Sequence, residues 1–156
     1  MLEREKVESE FTLLYREPGL GLTVFSPLRL GILTGKYQNG IPDDSRLAQA
    51  GGKFTTAFWS HHSEMEWDAI ITVVGKLQPI AKRLGIKMAT LALAWVLENP
   101  NVSSEVTGAS SLAQVYDNVR AIGAVEKLTP DIMAEIDRVL DNKPPTILER
   151  LPAGQK

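Results

Sequence analysis

The run Leu22-Thr23-Val24-Phe25-Ser26-Pro27-Leu28-Arg29-Leu30-Gly31-Ile32-Leu33-Thr34-Gly35-Lys36-Tyr37 decides how the rest of the chain is read. Leu20 to Phe25 is a short apolar run with β-branched Thr23 and Val24 inside it, between turn signals, and this predicts a buried strand. At Ser26 the character changes. Glycines at 31 and 35 permit close backbone approach, while Ser26, Thr34 and Lys36 offer donors suited to phosphate. In α/β folds the carboxyl end of a strand is where ligands bind, because backbone amides and helix N-termini converge there. The spacing is not that of a P-loop, which needs four residues between the glycines and Ser or Thr after the lysine. On spacing alone, an ordinary connection and an anion site both stand.

The regions on either side alternate in type. Upstream, Arg4 to Glu17 reads as a helix, with Val7, Phe11, Leu14 and Tyr15 at helical spacing, stopped by Pro18-Gly19. Downstream, glycine, proline, asparagine and serine are dense from Ser26 to about His62, a connection well beyond the usual 4–6 residues or so. A long helix is expected from Ser63 to Leu84, with Ile70, Val73, Val74, Leu77, Ile80 and Ala81 on one stripe and Pro79 kinking or splitting it. Gly85 ends it. Ala89 to Glu98 is nearly all apolar and predicts a helix buried on several sides. Val102 to Thr107 is a second strand. Gly108-Ala109-Ser110-Ser111 then opens a helix carrying Leu112, Val115, Tyr116 and Val119. The last helix has Thr129 as cap, Pro130 at its first position, and Ile132, Met133, Ile136, Val139 and Leu140 on its stripe. From Lys143-Pro144-Pro145 onward the chain is expected to fray.

Strands alternating with helices predict a parallel α/β arrangement. Two strands are few against a mean of about five or six per sheet, so the pattern reads as part of a larger α/β object. The 17 basic and 19 acidic residues are interspersed and the net charge is -2, which disfavours a nucleic-acid surface. Without cysteine there is no disulfide and no thiolate metal site. No apolar stretch is long enough to span a bilayer and no signal segment opens the chain, so a cytoplasmic protein is expected.

A second constellation is Gly108-Ala109-Ser110-Ser111-Leu112-Ala113-Gln114-Val115-Tyr116-Asp117-Asn118. A strand ends at a glycine and a helix begins with two serines, so orphan amides and the helix dipole converge. Gln114 and Asn118, four apart, lie along one face. A plainly capped helix with a polar face reads equally well. His61-His62-Ser63-Glu64, with Glu66 and Asp68 nearby, suits a polar helix start better than a metal or acid/base site, since adjacent histidines diverge on a helix.

Taken together, Ser-Pro-Leu-x-x-Gly-x-Leu-Thr-Gly-Lys-Tyr, then Gly-Ile-Pro-x-x-Ser-Arg, then Gly-Ala-Ser-Ser-x-x-Gln-x-x-x-Asn resembles the aldo-keto reductases. The nearest branch is that of the potassium-channel beta subunits with their fungal and plant relatives, which Arg4-Glu5-Lys6-Val7-Glu8 and Asp141-Asn142-Lys143-Pro144 also resemble. The resemblance covers about residues 2 to 145. It implies an NADP(H)-binding (β/α)8 barrel, here partial and mostly helical, with two or a few short parallel strands, completed by oligomerisation. Leu22 to Phe25 matches the seventh strand and Ser104 to Thr107 the eighth. By the same resemblance Phe25 sits beside the nicotinamide. Ser26, Pro27, Leu28, Gly31, Thr34 and Lys36 line the pyrophosphate with Arg46 nearby, and Gly108, Ser110, Gln114 and Asn118 hold the adenosine end with its 2′-phosphate.

The family's catalytic tyrosine, aspartate, lysine and histidine have no counterpart in this sequence, so no catalytic residue and no metal ligand is assigned. The expectation is a truncated barrel, residues 1–145, with a flexible tail over 146–156, acting on a small molecule as an NADP-dependent carbonyl oxidoreductase. The alternative is a non-redox isomerase or cyclase working as a homodimer, with His61, His62 and Glu64 as its acid/base region. Two departures bear on the choice. Arg29-Leu30 stands where relatives have small residues, and Glu105 stands where a barrel strand is usually apolar, a costly burial unless the carboxylate is paired.

Overall fold

Met88 to Leu97 is the centre of the fold, because MATLALAWVL offers no polar face to solvent. In the computed structural model, which describes residues 1–16, 19–49 and 64–145, eight of its ten residues are buried. In chain order the elements are α1 (Thr12–Arg16), β1 (Leu22–Phe25), α2 (Arg46–Gln49), α3 (Glu64–Arg83), α4 (Met88–Leu97), β2 (Val102–Val106), α5 (Leu112–Ala124) and α6 (Pro130–Leu140). A single π-helical turn, Lys6–Glu10, precedes α1, so the helix expected over Arg4 to Glu17 is interrupted at Phe11.

The stop between α3 and α4 is local chemistry. Gly85 takes the left-handed conformation at φ 66°, the Ile86 amide donates to the Ala81 carbonyl, and the Gly85 amide donates to Lys82. That is a Schellman closure, which a residue with a β-carbon adopts at a cost. Of the kink or split expected at Pro79, the split is absent, and α3 continues through it. Val74, Leu77, Ile80 and Ala81 on this helix are buried, and their burial outweighs the roughly 3 kcal/mol that an internal proline costs.

β1 and β2 pair in parallel, with Val24 opposite Glu105 and Phe25 opposite Val106, and an irregularity between Leu22 and Thr23. Only one face of this pair is covered. Val24 and Val102 pack on the helical core, whereas Phe25 is 78% exposed and Val106 is exposed with it. The buried strand expected over Leu20 to Phe25 is therefore a half-covered one, since the described residues place nothing on its other face.

The termini meet. Arg4, itself buried, donates to both carboxylate oxygens of Glu8 at 2.7 Å and to Asp137 at 2.8 Å, and its guanidinium lies 5.0 Å from the Trp95 ring centre. The Asn142 amide donates to the carbonyls of Met1 and Leu2, and the Ser9 hydroxyl donates to the Pro145 carbonyl. Residues 143–145 are thus tied down rather than frayed, because these bonds hold them against the first turn. Residues 146–156 lie outside the described residues.

Candidate functional site

Both strands end at the same edge, and the chain after each builds one wall of an open cleft of about 1370 Å3. The first wall is the turn Ser26 to Gly31. Ser26, Arg29 and Leu30 have φ of 51°, 44° and 56°, and Gly31 has 92°. Left-handed backbone costs a residue with a β-carbon about 1–2 kcal/mol, so something must hold this turn. Tyr37, buried beneath it, donates its hydroxyl to the Leu30 carbonyl at 3.0 Å, and the Thr34 hydroxyl donates to the Gly31 carbonyl at 2.7 Å. A β-carbon on Gly31 would stand 2.9 Å from Cε of Lys36, whose ammonium lies 5.0 Å from the Tyr37 ring centre. Gly31 is therefore favoured by its backbone angle, and a side chain there would also displace the end of the lysine laid across it.

The second wall is the start of α5. The Ser111 hydroxyl caps the helix by accepting the Gln114 amide at 3.3 Å, and Gln114 Oε1 accepts from the Ser110 amide at 2.8 Å and the Ser110 hydroxyl at 3.1 Å. Gln114 and Asn118 were expected to reach out along one face. Both line the cleft, but the carbonyl of Gln114 is turned back to the amide and hydroxyl of Ser110, one residue before the cap.

The third wall was not singled out in the sequence. Lys82 at the end of α3 and Lys87, Met88 and Ala89 at the start of α4 line the cleft, as do Asp44 and Asp117. A signal for it existed. A helix that leads directly into a parallel strand begins at the end where that strand finishes, so the start of α4 had to lie beside Gly108. Lys87 bonds Asp117 at 2.6 Å and holds its carboxyl below the usual range, with Arg120 adding at 3.2 Å. With Arg29 and Lys36 the lining carries four cations against two carboxylates.

Eleven of the twelve sequence candidates come together here: Phe25, Ser26, Pro27, Leu28, Gly31, Thr34, Lys36, Gly108, Ser110, Gln114 and Asn118. Arg46 begins α2, and its side chain lies outside the described residues, as do His61 and His62. Arg29 does not point its charge freely at the cleft, because it is ion-paired with Glu3. Glu105 sits behind the cleft on the covered face of β2. Its Oε1 is buried without a hydrogen-bond partner among the described residues, and burial pushes its carboxyl up to about 7, against an opposing pull from the Met1 amine.

Two parallel strands, helices packed on their outer face and a cleft at their carboxyl edge define an α/β-barrel segment. Residues 1–141 match the Aldo/keto reductase family model, and the chain belongs to that family. Its strands and helices are part of the (β/α)8 barrel the family builds. Similar relatives are a probable voltage-gated potassium channel subunit beta of Arabidopsis thaliana and one of Oryza sativa subsp. japonica, each 43% identical over 145 residues. A putative subunit beta of Schizosaccharomyces pombe is 38% identical over 143 residues. Each alignment covers 92% of this chain but 40–42% of the relative, so the chain spans about two fifths of the length of the curated relatives it matches. Among the described residues no helix is long and apolar enough to cross a membrane.

Proposed function

We propose that the cleft binds NADP(H) and that the chain is the dinucleotide-holding part of an NADP-dependent carbonyl oxidoreductase acting on a small molecule. The observation that carries this reading is the convergence of both loop motifs on one cleft with a surplus of positive charge. The residues fit the group. Phe25 presents an exposed ring at the strand end, suited to stacking on a flat heteroaromatic ring. Lys36 lies across Gly31 and offers an ammonium to a pyrophosphate. The N-terminus of α5, with Ser110 and Ser111, favours a further phosphate through its dipole. When bound, the nicotinamide supplies the reducing equivalent as hydride. This chain's residues supply binding and orientation, and the proton donor is assigned to none of them.

Titration of NADPH against the purified protein, followed by cofactor fluorescence, tests the reading. Saturable binding in the micromolar range is expected. Lys36→Met should weaken it about tenfold, the loss of one charge-assisted contact of roughly 1.4 kcal/mol. No change in fluorescence up to high micromolar NADPH would sink the proposal.

A second reading concerns assembly, favoured by the bare face of Phe25 and Val106 and the exposed apolar side of α5. We infer a homo-oligomer in which these faces are covered, since contiguous apolar surface on a soluble chain marks an interface. Light scattering on the eluting protein decides it, and a well-behaved monomer overturns it. Non-redox isomerase or cyclase chemistry in such a dimer would draw on His61 and His62, which lie outside the described residues, and on Glu64, which opens α3.

A further inference from the structure

On the far side of the Lys87–Asp117 ion pair lies a second groove, of about 720 Å3, which the cofactor reading does not use. It is bounded by the end of α3, the start of α4, the middle of α5 and the turn that follows α5. Four cations line it, Lys82, Lys87, Arg120 and Lys127, against the single carboxylate of Asp117. That carboxylate is already neutralised, by Lys87 at 2.6 Å and Arg120 at 3.2 Å. Lys127 is steadied at the rim by donating to the Leu84 carbonyl at 2.9 Å.

From the first turn of α4, Lys87 and Thr90 reach this groove, whereas Met88 and Ala89 line the larger cleft. The N-cap is Lys87, whose side chain makes no capping bond, and the first intrahelical bond is from the Leu91 amide to the Lys87 carbonyl. The Thr90 amide therefore lacks an intrahelical acceptor near the positive end of a ten-residue helix. A second feature points the same way. Thr90 is only 4% exposed, yet it lines this groove, and its hydroxyl bonds no protein group among the described residues. The rest of the side chain is buried, so the hydroxyl opens only onto the groove, where a ligand oxygen would supply the partner the protein does not.

We propose that this groove is an anion site beside the larger cleft, which takes a phosphate dianion between the hydroxyl and amide of Thr90 and the cations Lys82, Arg120 and Lys127. The phosphate is either free or the terminal group of a small monoester. In both cases the hydroxyl and amide donate to its oxygens while the cations balance its charge. Lys82, Ile86 and the ion pair of Lys87 and Asp117 are shared with the larger cleft, whereas Thr90, Arg120 and Lys127 belong to this groove.

The test is an amide-resolved NMR titration of the full chain, with inorganic phosphate in one arm and phenyl phosphate in the other, ionic strength being held constant with sodium chloride. Saturable shifts centred on Thr90 and Gly123 are expected. Binding of inorganic phosphate alone identifies a free-ion site, and equal binding of the monoester identifies a phosphorylated small molecule as the occupant. Thr90→Val, close in shape, should weaken binding about threefold to tenfold. Replacing both Arg120 and Lys127 by Gln, on the exposed rim where the fold is not at stake, should weaken it about tenfold or more. Gln114→Ala, in the larger cleft, should leave it unchanged. The proposal is overturned if shifts centre on Ser110 and Gln114, if no saturation occurs by about 10 mM, or if the Arg120/Lys127 double variant binds as the parent does.

Discussion

Helices α4 and α5 lie against each other and are both rich in apolar residues, yet they treat them oppositely. α4 buries Leu91, Leu93, Trp95 and Val96 on several sides at once. α5 turns Leu112, Val115, Tyr116, Val119 and Ile122 outward, and the residues it buries are Ala121 and Ala124. The alanines explain the contact, because small side chains let α5 approach α4 closely. The large residues are left on the opposite side, at helical spacing, where further polypeptide would meet them. An apolar stripe therefore says that a face is to be covered, and not by what.

Three experiments press on this contrast. The largest effect is expected at α4. Leu91→Ala removes a side chain with no exposed surface and should lower the unfolding free energy by about 2–5 kcal/mol, read from urea denaturation. The same loss from a substitution on the outward face of α5 would erase the difference between the two helices.

The second probes the layer beneath α4, where β2 carries Glu105. Its carboxyl ionises near 4.5 in the unfolded chain and at about 7 in the fold, chiefly because burial disfavours the charge. Between those values the folded state holds a proton that the unfolded state has lost, so this group's contribution to stability falls as pH rises through the window. Glu105→Gln is neutral throughout. The gap between the variant's urea midpoint and the parent's should widen in the variant's favour from pH 4.5 to 7 and level off above it. A gap that stays constant across this range would mean that Glu105 is solvated.

The smallest effect on stability is expected at α5. Tyr116→Glu, on a residue that is mostly exposed, should change the unfolding free energy of the isolated chain by no more than about 0.5 kcal/mol. The same substitution should raise the dissociation constant of any oligomer, measured by light scattering over a dilution series. A large loss of monomer stability would show that the stripe packs within the chain.

Local signals carried most of the fold. The Thr129-Pro130 start of α6 is a cap followed by a proline at the first helical position, and the Thr129 hydroxyl accepts the Ile132 amide as that pairing requires. The nearly all-apolar run at 89–98 became the buried helix because no rotation of it offers a polar face. Pro79 does not split α3, since its local cost is set against tertiary burial of Val74, Leu77 and Ile80 that no window of sequence displays. At the site, the glycines and serines of both loops were legible. Tyr37 was legible as the end of the first loop, but its bond to the Leu30 carbonyl was not, nor was the basic wall of Lys82 and Lys87, which joins the cleft only through the path of the chain.

By itself, then, the sequence determined the order and type of most elements, the two loops that follow the strands and the family, since each is written in residues close together along the chain. Tertiary structure alone decided that both loops face one cleft and that Lys87 and Asp117 divide it from a second groove. It also decided which apolar faces the chain covers for itself. Those outcomes depend on groups far apart in sequence meeting in space, where burial and charge are set by neighbours rather than by residue type.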